Sequence, residues 1–161
     1  MAHVSRIVLI GIGQELRGDD AAGIEIVREW QQAYPDTARQ MRVELSPLPG
    51  LGLLDLLEGA QAAILVDAIQ SGAEPGTVHI VGLEDVEAFA AGSGSAHGFG
   101  VAETLALAKQ VSPASLPEQV ILLGIEIQHM DLGQPLSSAV QASIPQAVLT
   151  LEQTIQNLRK Q

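Results

Sequence analysis

The chain contains no cysteine, which excludes disulfides, thiol chemistry and thiolate metal sites. Aromatic residues make up only 2% of it, so a core has to be built from Leu, Ile, Val and Ala. Positive charge is scarce: eight Lys and Arg stand against nineteen Asp and Glu, a formal net charge of −11, with no basic cluster. Nucleic acid and anionic membrane surfaces are bound through clustered Lys and Arg, so neither is an expected partner. No apolar run approaches the roughly 20 residues needed to span a bilayer. The N-terminal MAHVSRIVLIGIG has a short apolar run without a small-residue cleavage site. It reads as a first strand rather than a signal peptide, and a cytoplasmic location is expected.

What is present is enough apolar material for one well-packed domain over residues 1–161. The chain is 47% hydrophobic with a mean hydropathy of +0.24, and a chain of this length buries about two-thirds of its unfolded surface. Residues 6–12 are a continuous β-branched run ending at glycine, 62–69 are apolar apart from Asp67, and 118–127 (EQVILLGIEI) are a third such strand, the pattern of strands buried on both faces. MRVELS (41–46) is a further strand, and TVHIVGL (77–83) alternates as an edge strand does. Between them lie helical patterns over 20–34, ended by Pro35, over 51–59, and over about 97–110, with a short acidic helix or turn at 84–90. A last helix over 137–159 carries Val140, Ile144, Val148, Leu151, Ile155 and Leu158 at 3.6-residue spacing. Pro145 either kinks it or marks its first turn. Strands alternating with helices predict an α/β fold: a three-layer α/β/α sandwich, with a mostly parallel twisted sheet of about five strands and helices on both faces.

In such sheets ligands bind outside the carboxyl ends of the strands, and three features reach that edge. The first strand runs into Gly11-Ile12-Gly13-Gln14 and then Gly18-Asp19-Asp20. Asp67 ends the apolar AILV of the third strand. His97 follows a Gly/Ser-rich loop. Each has a plain structural explanation: an Asp at a strand end caps a turn, an acidic pair caps the next helix, and a lone His is a hydrogen-bonded surface residue. Together, two carboxylates and an imidazole from separate loops make an open three-ligand site suited to Zn²⁺, Ni²⁺ or a similar ion. His3, in a fraying end, His79, in the edge strand, and His129, in a turn near the rim, are weaker candidates. A dinucleotide site would place its third glycine two residues earlier. GSGS (92–95) lacks the strand–turn–helix setting of a nucleophile elbow, and HExxH is absent.

These residues, taken in order, resemble the hydrogenase maturation proteases. The matching elements are Gly11-Ile12-Gly13-Gln14, Gly18-Asp19-Asp20-Ala21-Ala22-Gly23, Val66-Asp67-Ala68 and Pro75-Gly76-Thr77. After them come Ser95-Ala96-His97 with Gly100, Gly124-Ile125-Glu126, and Leu136-Ser137-Ser138-Ala139-Val140, so the resemblance covers nearly the whole chain. It implies an endopeptidase that removes the C-terminal extension of a nickel–iron hydrogenase large-subunit precursor after nickel insertion. Asp20, Asp67 and His97 would be its catalytic and metal-binding residues. The nickel would be that of the precursor, with zinc or cadmium able to substitute in the free protein. Asp19 would support Asp20 or cap the helix, and Glu126 would stand at the rim. The chain departs from the family in having Gln14 for the usual Asn. It also has Ser46-Pro47-Leu48-Pro49-Gly50 where an Asp-Gly-Gly-Thr-like segment tied to substrate choice is often found. The alternative reading is a non-enzymatic nickel-sensing or nickel-handling module on the same scaffold.

Overall fold

Strand β1 (Ile7–Ile12) and strand β3 (Ala62–Ile69) are buried at every residue, as expected of strands covered on both faces. They lie inside a five-stranded sheet with β2 (Arg42–Ser46), β4 (Val78–Gly82) and β5 (Gln119–Glu126), in the order β2-β1-β3-β5-β4. The neighbours β2–β1, β1–β3 and β3–β5 are parallel, and β4 closes one edge antiparallel to β5. The structure is a computed structural model and describes residues 6–47, 50, 52–92 and 100–161.

Side chains alternate across the sheet with a period of two. Leu9, Ile64, Val66, Leu123 and Ile125 point to one face. There they pack against α1 (Ala22–Ala33) and α6 (Ser138–Arg159) through Ile26, Val27, Trp30, Val140, Ile144 and Leu151. Val8, Ile10, Ala63, Leu65 and Leu122 point the other way, against α3 (Gly52–Leu57), α4 (Val86–Gly92) and α5 (Val101–Val111) through Leu53, Leu57, Val86, Val101 and Leu105. The predicted three-layer α/β/α sandwich is therefore the observed fold. Trp30, the only tryptophan, is fully buried, and its indole N–H donates to Glu152 Oε2 at 2.8 Å, tying α1 to α6. Among the described residues no helix is long and apolar enough to cross a membrane.

Four places in the elements depart from the expectation or narrow it. Residues Gly18–Ala21 form a 3₁₀ turn, and α1 starts only at Ala22. Pro35 ends α1 and also opens a short helix, α2 (Pro35–Arg39), since a proline at the first helical position loses no bond it would have made. Pro145 lies inside α6 rather than in its first turn. Helix α5 begins at Val101 after an extended Gly100, and residues 93–99 lie outside those described.

Candidate functional site

The turn after β1 is folded back on itself by close backbone approaches. A Cβ on Gly13, whose φ is 155°, would sit 2.1 Å from the Asp20 carbonyl oxygen. One on Gly23 would sit 2.4 Å from the carbonyl oxygens of both Ile12 and Val66. Only a residue without a side chain lets the first turn of α1 press onto the carboxyl ends of β1 and β3. The glycines thus do steric work, and what the turn brings to the sheet edge is Asp20, which is fully buried. Its Oδ2 accepts the Gln14 N–H at 3.1 Å.

Asp67 reaches the same corner from β3. Val66 pairs with Gly11 of β1, and Asp67 is the next residue. It keeps the phase of Ala63 and Leu65 and so belongs to the face covered by α3, α4 and α5. Its side chain is 3% exposed, and its Oδ1 accepts the N–H of Ala68 at 2.9 Å. Because the Val66 carbonyl touches Gly23, Asp20 and Asp67 flank a single backbone crossing. A carboxylate at such depth is costly unless it is paired, hydrogen-bonded or bound to a metal.

Asp19 does something else. Its Oδ1 accepts the Ser137 N–H at 2.6 Å, and its Oδ2 accepts the Ser137 hydroxyl at 2.8 Å and the N–H groups of Gln128 and His129 at 2.8 and 3.2 Å. Its own N–H donates to the His129 carbonyl at 3.1 Å. Burial alone would raise its pKa, but the donors from Ser137, Gln128 and His129 outweigh it and hold the carboxyl below its ordinary value. The expectation that the acidic pair caps the following helix is corrected by this geometry. Neither the 3₁₀ turn nor α1 has a side-chain cap. Asp19 instead ties the turn to the exit of β5 and the start of α6, where Ser137 itself caps α6 through Val140 N–H.

Glu126, expected at the rim, is 2% exposed and serves as an anchor. Its Oε1 accepts the N–H groups of Ser71 and Gly72 at 2.9 and 3.0 Å, and its Oε2 accepts the Ser71 hydroxyl at 2.7 Å. The Nε2 of His79 stands 3.4 Å from that Oε2, with its ring edge-on to Phe89. His129 does line the rim, with Nδ1 3.9 Å from Asp131 Oδ2 and its ring against Gly18.

His97 lies outside the described residues, as do Ser95 and His3. Residues 93–99 join α4 to α5, which both cover the face that Asp67 belongs to. Among the described residues no group of three or more Asp, Glu or His side chains stands together as a metal site. The structure therefore brings Asp20 and Asp67 to one corner and describes no third donor beside them. Sequence reasoning missed the part played by Ser137 and Ser71. The Leu136-Ser137-x-x-Val140 match held a signal for the first, and nothing near Ser71 marked the second.

The model of the hydrogenase maturation protease family matches residues 24–154. The chain belongs to this family. The match takes in Asp67 and His97 and starts just after Asp20. Among similar proteins, the hydrogenase expression/formation protein HupD of Rhizobium leguminosarum bv. viciae is 31% identical over 90% of this chain and 71% of its own length. The hydrogenase 2 maturation protease of Escherichia coli is 30% identical over 96% of this chain and 92% of its own. Among solved structures, the E. coli hydrogenase maturating endopeptidase HybD superposes with a TM-score of 0.72 at 28% identity, covering 96% of this chain and 93% of that one. As a hydrogenase maturation protease, the chain is placed among the hydrolases that cut proteins.

Proposed function

We propose that the protein is a cytoplasmic endopeptidase that removes the C-terminal extension of a nickel-loaded hydrogenase large-subunit precursor. The observation that carries this reading is the pair of buried carboxylates, Asp20 and Asp67, at the corner where β1, β3 and α1 meet, in a chain of this family. His97 would supply the imidazole that completes the set. Two carboxylates and an imidazole are hard-to-borderline donors that suit Ni²⁺ and equally accept Zn²⁺ or Cd²⁺ in the free protein.

In this reading the nickel of the precursor is part of the substrate, and it polarises the scissile carbonyl or a water. Water adds to the carbonyl carbon, the carbon–nitrogen bond breaks, and the leaving nitrogen takes up a proton. This chain's contribution is positional. The Gln14 N–H and the glycine crossing fix Asp20, the strand fixes Asp67, and both stay in place without reorganisation as the bond is cut.

The test is incubation with a nickel-loaded large-subunit precursor, read by intact mass. Loss of one C-terminal peptide is expected, with no loss from the nickel-free precursor. A precursor of unchanged mass that still shares its nickel with the protein would overturn the protease reading in favour of a nickel-handling module.

A further inference from the structure

Beside Asp20 lies a cleft of about 370 Å³ whose walls include Gln14, Leu16, Ile24, Leu45 and Pro47. It opens at the carboxyl edge of the sheet, between the turn after β1, the first turns of α1 and the end of β2. Three observations bear on its occupant. It is continuous with the candidate site, because Gln14, which lines it, donates its backbone N–H to Asp20. Among its aliphatic residues, Leu16 and Leu45 stand open to solvent. Leu16 is 73% and Leu45 is 41% exposed, and Leu132, at 76%, adjoins Leu16 because the Gly133 N–H donates to the Leu16 carbonyl at 2.7 Å. Exposed leucines gathered at one edge mark a surface that something apolar covers.

The third observation is charge. The cleft's cation, Arg28, is held on one side by Glu15 and on the other by Glu25. Two carboxylates against one guanidinium leave this Glu15–Arg28–Glu25 cluster with a net charge of −1. A chain terminus ending in a carboxylate would be repelled there, and an internal, uncharged stretch would not.

We propose that this cleft receives an aliphatic side chain from an internal segment of the protein substrate, next to the bond that is cut. The inference rests on the processing reading and adds a specificity-determining subsite to it. Leu16 and Leu45 grip the side chain, Ile24 forms the floor, and the Glu15–Arg28–Glu25 cluster rejects acidic neighbours. Volumes of this order take a short ligand segment rather than isolated waters.

The probe is a blocked pentapeptide, acetyl-Ala-Ala-Ile-Ala-Ala-amide, titrated onto the full chain with the Leu16, Ile24 and Leu45 methyl groups followed by NMR. Shifts confined to these methyls are expected, with affinity about 10-fold or more above that of the same peptide carrying Asp in place of Ile, the gain from burying one aliphatic side chain. The isoleucine peptide with a free C-terminal carboxylate should bind more weakly than its amide. Leu16→Glu and Leu45→Glu, both at exposed positions, should abolish the preference for Ile while the melting temperature stays within a few degrees of the parent. Equal affinity for the Ile and Asp peptides, or an unchanged preference in both variants, overturns the subsite. A chain that prefers the Ile peptide yet cuts no precursor overturns the processing reading and leaves the subsite standing.

Discussion

Asp19 and Asp20 are adjacent and equally buried, yet the donors that reach them come from different distances along the chain. Asp20 takes the N–H of Gln14, six residues away in its own turn. Asp19 takes four donors from residues 109 to 118 positions later. The same contrast divides the other buried acids. Asp67 takes the N–H of the next residue, whereas Glu126 takes three donors from a turn 54 and 55 residues before it. A buried carboxylate surrounded by distant backbone N–H groups holds elements together. One that takes an N–H from its own turn, as Asp20 and Asp67 do, is oriented by that turn.

This contrast sorts the expected effects of substitution. The largest falls on the locally fixed pair. Asp67→Ala or Asp20→Ala should abolish precursor cleavage, read by mass, while the variant still unfolds in one cooperative step on urea titration. Normal cleavage by both variants would remove them from the site. Asp19→Ala reverses the pattern. It strands the Ser137, Gln128 and His129 donors and should cost about 3 kcal/mol or more of unfolding free energy by urea titration. The pH dependence carries the same information. A carboxyl whose folded pKa is lowered stabilises the protein fully above its ordinary value of about 3.9, and that share is lost as pH falls through the lower folded value. Asp19→Asn should therefore flatten the acid side of the stability curve, and an unchanged acid limb would contradict the four-donor description. The smallest effect is expected at Glu126. Glu126→Gln keeps an acceptor for the Ser71–Gly72 turn, so about 1 kcal/mol of stability is lost and cleavage stays within about threefold of the parent. A cleavage defect as deep as that of Asp67→Ala would move Glu126 into the site.

Most of the fold was legible because its signals are local. The long apolar stretches of β1, β3 and β5 declare strands covered on both faces, and the alternation in β4 declares an edge. Asp67 stood out because a charge in the least polar run needs a reason. What escaped depended on partners far along the chain. Nothing within ten residues of Asp19 reveals that its donors are the backbone of 128 and 129 and Ser137, so helix capping was the natural reading. The 3₁₀ turn at 18–21 was hidden because the glycines beside it press on carbonyls that are not their neighbours in sequence, Gly13 on that of Asp20 and Gly23 on those of Ile12 and Val66. Pro35 was read as a stop, which it is for α1, although proline is also well suited to begin the helix that follows.

The Asp19 corner also sets an order of events during synthesis. The carboxylate leaves the ribosome with the first strand, but its four donors are made 109 to 118 residues later, roughly 5 to 25 s at ordinary translation rates. Until Ser137 arrives, the turn that presents Asp20 has no clasp, so this corner closes only after residue 137 has been made. A chain stalled before Ser137 carries the acidic pair without the clasp that fixes its turn, and the geometry of this corner is the product of two stretches made far apart in time.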